Sequence, residues 1–154
     1  MLKTKVTGDV TTYSLNFNNL TLSYLNLIND LEVQKRKFPK EIVAVIQRRI
    51  SKRTFFFILI VFGSYAKNTP TKTSDLDITV IVDTDHSKKE IIPLLETIKR
   101  REIKNIDYHI FTAPDFLEML NTDYENVGKQ IYKTSIICHG FIEWCELIQR
   151  RQNE

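Results

Sequence analysis

Eight consecutive apolar residues, Phe55-Phe-Phe-Ile-Leu-Ile-Val-Phe62, end abruptly at Gly63. The run falls far short of the roughly 20 residues that span a bilayer. It does not alternate either, as a strand with one wet face would. What remains is a central strand buried on both sides, which obliges the chain to supply a layer above it and a layer below. A chain of 154 residues has enough for that, as one domain with some accessory structure. Its 42% hydrophobic and 27% charged residues exclude a mainly disordered state, and only 4 glycines and 4 prolines favour long, uninterrupted elements.

The other elements read outward from this run. Thr4 to Asn16 is expected to be a hairpin with Gly8-Asp9 at its turn. From Thr21 to about Arg36, the apolar residues Leu22, Leu25, Leu27, Ile28, Leu31 and Val33 recur at near-helical spacing. Pro39 opens a second helix, about 40–53, with Ile42, Val43, Ile46 and Ile50 on one stripe. Ser64 to Lys67 is expected to form a helical turn before a polar loop. Asp75 to Val82 is a second strand, ended by Asp83-Thr84-Asp85. A helix then runs to about Arg101, with Ser87 and Glu90 as its capping box and Pro93 delaying or bending its start. Lys104 to Phe111 is a third strand, and Thr112-Ala-Pro-Asp115 begins a helix carrying Phe116, Leu117 and Leu120. Helical segments over about 123–133 and 140–152 flank Ser135-Ile-Ile-Cys138, with Phe141, Trp144 and Leu147 as a core stripe.

The chemistry concentrates in Phe62-Gly-Ser-Tyr-Ala-Lys67 and Ser74-Asp-Leu-Asp-Ile-Thr-Val80. Residues two apart on a strand share a side, so Asp75 and Asp77 present two carboxylates from one face. Like charges held this close are costly without a cation between them, and hard divalent ions with oxygen ligands meet that need. Gly63 and Ser64, directly after a buried strand, let the backbone approach a phosphate closely and offer N–H and hydroxyl donors. Phosphate donors beside a carboxylate pair are the parts of a phosphoryl- or nucleotidyl-transfer site.

Gly63-Ser64, ten intervening residues, then Asp75-Leu76-Asp77 on a strand resembles the signature of the DNA polymerase β-type nucleotidyltransferase superfamily. The resemblance is strongest over about 40–112 and is closest to the minimal nucleotidyltransferases encoded beside HEPN-domain proteins. It implies an α/β (α+β) fold, with a small mixed central sheet flanked by helices. The expected organisation is a hairpin and helix over 1–36, a nucleotidyltransferase core over 37–122 and helices packing on it over 123–154. The resemblance further implies a third carboxylate from a neighbouring strand, for which Asp107 in Ile106-Asp-Tyr-His-Ile-Phe111 is the candidate, with His109 two residues along the same face. Asp75, Asp77 and Asp107 would be the catalytic and metal-binding residues, with Gly63, Ser64, Lys67 and Ser74 toward the nucleotide. Asn68 departs from the pattern, since a glycine is common there. The implied cofactor is Mg²⁺, with Mn²⁺ as a substitute, and the implied substrate is ATP or another NTP. The implied activity moves NMP, most often AMP, to a hydroxyl of a HEPN-type partner, which would make this chain an antitoxin.

Residues 1–33 are similar to the wing hairpin and trailing helix of a winged-helix domain, and a basic stretch follows them. Residues 35–53 hold eight basic side chains against one acid, Glu41, or +7 within a chain whose formal net charge is +3. That face keeps open an alternative, a nucleotide- or nucleic-acid-binding regulatory module without turnover, whose nucleic-acid contacts would be weak and non-specific. No apolar segment follows Met-Leu-Lys-Thr-Lys, and Cys138 and Cys145 lack metal-like spacing, so a cytoplasmic chain without membrane association is expected.

Overall fold

The computed structural model describes residues 2–15 and 18–153; Met1, Asn16, Phe17 and Glu154, which the expected spans include, lie outside the described residues. The chain forms two sheets. β1 (Leu2–Thr7) and β2 (Val10–Leu15) make an antiparallel hairpin with Gly8 at φ +61° in its turn. β3 (Phe57–Val61), β4 (Leu76–Val82), β5 (Ile106–Thr112) and β6 (Ile136–His139) form a four-stranded mixed sheet in the order β5-β4-β3-β6. β3 runs antiparallel to both its neighbours, while β4 and β5 are parallel. The helices are α1 (Asn19–Lys35), α2 (Lys40–Ile50), α3 (Gly63–Ala66), α4 (Asp85–Arg101), α5 (Ala113–Asn121), α6 (Val127–Lys133) and α7 (Phe141–Asn153).

The apolar run behaves as its composition demands, since all five residues of β3 are buried. Phe57, Leu59 and Val61 face Val43, Ile46 and Ile50 of α2 and Ile91, Leu95 and Ile98 of α4. Ile58 and Ile60 face the other way, with Phe62, onto Phe116 and Leu120 of α5, Ile131 of α6 and Leu147 of α7. Helices thus cover both faces of the strand. Phe55, the first residue of the run, stands outside the strand with its side chain in solvent. The stripe of α7 packs as core, with Phe116 and Trp144 ring centroids 5.5 Å apart.

Three expectations need correction. The cap of α4 is Thr84, whose hydroxyl accepts from the Ser87 N–H at 3.2 Å, so Ser87 sits inside the helix. Pro93 lies well inside α4 at an exposed position and does not delay its start, which is at Asp85. The apolar residues of α1 do not share one stripe. Leu22 is buried and Leu25 and Val33 are half-buried, whereas Leu27, Ile28 and Leu31 project from the opposite side into solvent. At about 100° per residue, positions 22, 25 and 33 cluster roughly half a turn from 27, 28 and 31. The fourth strand, β6, lies in the short apolar stretch between the last two helices, where α1 covers it and the Asn29 side chain donates to the Ile137 carbonyl at 3.0 Å.

Candidate active site

The site begins where β3 runs out. The Phe62 N–H donates to the Asp77 carbonyl at 3.1 Å, which brings the following residue against β4. Gly63 adopts φ +66°, and a Cβ built on it would lie 2.0 Å from Asp77 Oδ2 and 2.8 Å from Asp77 Cγ. Both the backbone angle and the space demand glycine. The chain then makes the single turn of α3 and ends it with an Asn in the left-handed region. The Thr69 N–H donates to the Ser64 carbonyl at 2.9 Å and the Asn68 N–H to the Tyr65 carbonyl at 3.2 Å, around Asn68 at φ +60°. These two bonds are a Schellman ending, and asparagine is among the few side-chain-bearing residues that tolerate its left-handed position.

The carboxylates come from adjacent parallel strands. Asp77 of β4 pairs in register with Asp107 of β5, because the α4 crossover returns the chain alongside its starting strand. Asp77 is half-buried and Asp107 exposed; Asp75 lies one residue before β4 begins and is also exposed. Burial raises the Asp77 pKa above the ordinary carboxylate range, and the negative charges of Asp107 and then Asp75 push it further in the same direction. His109 and a backbone hydrogen bond from Ser64 oppose that shift. The His109 ring lies between Phe62 and Phe111, at centroid distances of 5.9 and 5.8 Å. Beneath Asp77 on the same face, Thr79 is fully buried and its hydroxyl has no partner, a polar feature that sequence reading missed because a strand threonine is ordinary.

Asp77 carries a pH signature. A carboxyl whose pKa is raised by folding binds its proton more tightly in the native state, so its stabilising contribution is present below the unfolded pKa and fades as pH rises through the native one. Without metal or nucleotide, the protein should therefore lose stability as Asp77 ionises, and Asp77→Asn should be the more stable of the two at neutral pH. Thermal unfolding of both proteins between pH 4 and pH 8 checks this, and equal pH dependence would contradict it.

The fold thus gathers Gly63, Ser64, Asp77 and Asp107, with Asp75 at the rim. Ser74 and Lys67 flank these residues, Ser74 next to Asp75 and Lys67 one helical turn after Gly63. The Ser74 hydroxyl accepts from the Thr71 N–H at 2.8 Å and lies 3.1 Å from the Thr71 hydroxyl, so it braces the loop. Lys67 caps α3 and is exposed. Among the described residues, no three His, Cys, Asp or Glu side chains converge as a ready-made metal site.

A family model described as "Polymerase beta, Nucleotidyltransferase" matches residues 40–138, well over half of the chain. The chain belongs to this family. The match begins at α2 and continues through the sheet to β6, so the glycine turn and all three carboxylates lie within it. No curated protein and no solved structure matches the chain. Nucleotidyltransferases of this family generally use a nucleoside triphosphate and a divalent metal. The residues present fit such an ion, because the donors are all carboxylate oxygens and burial, with the charges of Asp107 and Asp75, leaves the Asp77 pKa raised. Among the described residues no helix is long and apolar enough to cross a membrane.

Proposed function

We propose that this nucleotidyltransferase moves an NMP, most often AMP, from an NTP to a hydroxyl on a protein acceptor. A HEPN-type toxin is the acceptor that the resemblance to the minimal nucleotidyltransferases favours, with this chain as its antitoxin. The observation that carries the transfer reading is the meeting of three features at one point: a glycine in the left-handed region with no room for a Cβ unless Asp77 shifts, Asp77 against it, and Asp107 in register beside Asp77.

Each residue then has a task its position supports. Gly63 brings the backbone close to the phosphates, and the Ser64 hydroxyl donates to a phosphate oxygen. Asp75 and Asp77 would hold Mg²⁺ with the triphosphate, and Asp107 would complete the metal-binding set. When bound, the ion supplies neutralisation of phosphate charge and polarisation at the α-phosphorus. Asp107 is exposed, so an acceptor hydroxyl can reach it, and its carboxylate takes the proton of that hydroxyl. The acceptor oxygen forms its bond to the α-phosphorus as the bond to pyrophosphate breaks, so NMP stays on the acceptor and pyrophosphate leaves.

Because the carboxylates do not form a closed site alone, metal and nucleotide should bind together. Calorimetry of the purified chain with ATP is expected to show binding that strengthens with Mg²⁺ and collapses in Asp77→Asn. Equal affinity with and without Mg²⁺, in wild type and variant alike, would contradict the metal assignment.

A further inference from the structure

The helix α1 carries two apolar faces. One, built on Leu22, Leu25 and Val33, packs inward beside Asn29, which bonds to β6. The other consists of Leu20, Tyr24, Leu27, Ile28 and Leu31, all between 49% and 61% exposed. A helix with apolar residues on two sides, separated by a polar stripe of Asn19, Ser23, Asn26, Asp30 and Gln34, can bury only one side against its own domain and leaves the other for a partner. The hairpin before it is in the same position, because every described residue from Lys3 to Tyr13 whose burial is defined is exposed. Val6 and Tyr13 share one face of that hairpin and are 67% and 64% exposed. A lone two-stranded hairpin is marginal in water unless something packs against it.

We propose that this face is the contact between two copies of the chain, paired through α1 in parallel about a twofold axis. The spacing specifies a helical partner. Leu20, Tyr24, Leu27 and Leu31 are separated by four, three and four residues, the alternation of the core positions of a coiled coil. The flanking charges specify the second copy and its direction. In that frame Asp30 and Lys35 occupy the two flanking positions that meet across a parallel pair, so each Asp30 faces Lys35 of the other chain on both sides of the axis. Their present partners, the half-buried Asn26 for Asp30 and Glu32 for Lys35, are neighbours on the same helix held by exposed contacts that cost little to exchange.

The area is also of the right size. The exposed halves of the five α1 side chains amount to on the order of 500 Å² per chain, or roughly the 1,000 Å² in total that marks a specific interface. The hairpin face adds to it. The stripe is short, fewer than two full heptads, so the affinity should lie in the micromolar range rather than below it.

Sedimentation equilibrium of the intact chain up to about 100 µM, a concentration well above a micromolar dissociation constant, tests the proposal. The expected result is a mass that rises with concentration from 18.1 kDa to twice that value. Leu27→Glu with Leu31→Glu should remain monomeric throughout with an unchanged far-ultraviolet spectrum, since both side chains already lie in solvent. Leu27→Cys should form a disulfide between copies under mild oxidation, because parallel pairing sets each Leu27 against its own counterpart. A wild type that stays at the monomer mass would overturn the proposal and assign the face to a different protein. A double variant that dimerises as wild type does, or a Leu27→Cys that fails to link in a proven dimer, would overturn the α1 contact or its direction respectively.

Discussion

Gly63→Ala is expected to reduce nucleotidyl transfer by on the order of a thousandfold while leaving the chain folded, because misplacing a reacting group by about 1 Å already costs a hundredfold. Two separate effects combine at this residue. The left-handed backbone angle costs a side-chain-bearing residue about 1–2 kcal/mol. The methyl group must also displace the Asp77 carboxylate, since its position lies 2.0 Å from Oδ2. Gly8 separates these effects. It has nearly the same angle, φ +61°, but a Cβ there would meet nothing within 4 Å. Gly8→Ala should therefore lower the melting temperature by a few degrees and leave transfer intact, whereas Gly63→Ala should lower transfer far beyond its effect on stability. Equal loss of transfer in both variants would show that Gly63 acts through stability alone.

Asp107→Asn is the second large effect. Asp75 and Asp77 can hold one metal–nucleotide complex without it, but the acceptor hydroxyl then loses its nearby proton acceptor. The variant should keep most Mg²⁺–ATP affinity by calorimetry yet lose transfer by roughly a hundred- to ten-thousandfold. Its fold should be undisturbed, because Asp107 is exposed and its removal relieves the charge that raises the Asp77 pKa. Wild-type transfer by Asp107→Asn would remove the proposed role, and a loss of nucleotide affinity equal to the loss of transfer would reassign Asp107 to binding.

The parts of this molecule legible in its sequence are those whose chemistry is local. The apolar run, its terminal glycine and the alternating Asp75-Leu76-Asp77 each force a backbone state over a few residues, and β3, Gly63 and β4 follow. Asp107 is a candidate because the family resemblance implies a third carboxylate, and the strand–helix–strand path through α4 brings it into register with Asp77. The reasons for other features lie far away in the chain. Why residue 63 must be glycine depends on the carboxylate of residue 77, which the sequence does not place against it. A four-residue strand such as β6 shows no period of its own and exists because β3 needs a second neighbour. Ser74 stands beside the motif, and its hydroxyl's contacts with Thr71 arise from the loop folding back on itself, which no local pattern announces. The two faces of α1 blur in any linear count, since apolar residues on opposite sides of a helix still fall at helical spacings from one neighbour or another.

The central claim, that Asp77 and Asp107 serve nucleotidyl transfer, rests most directly on where the label goes. The chain is incubated with Mg²⁺ and a co-purified or neighbouring-gene acceptor protein, using ATP labelled either at the α-phosphate or at the γ-phosphate. The account predicts that α-label alone becomes fixed to the acceptor while the γ-label leaves in pyrophosphate. Label arriving from the γ-position, or an acceptor unlabelled by both while the chain binds Mg²⁺–ATP, would contradict it.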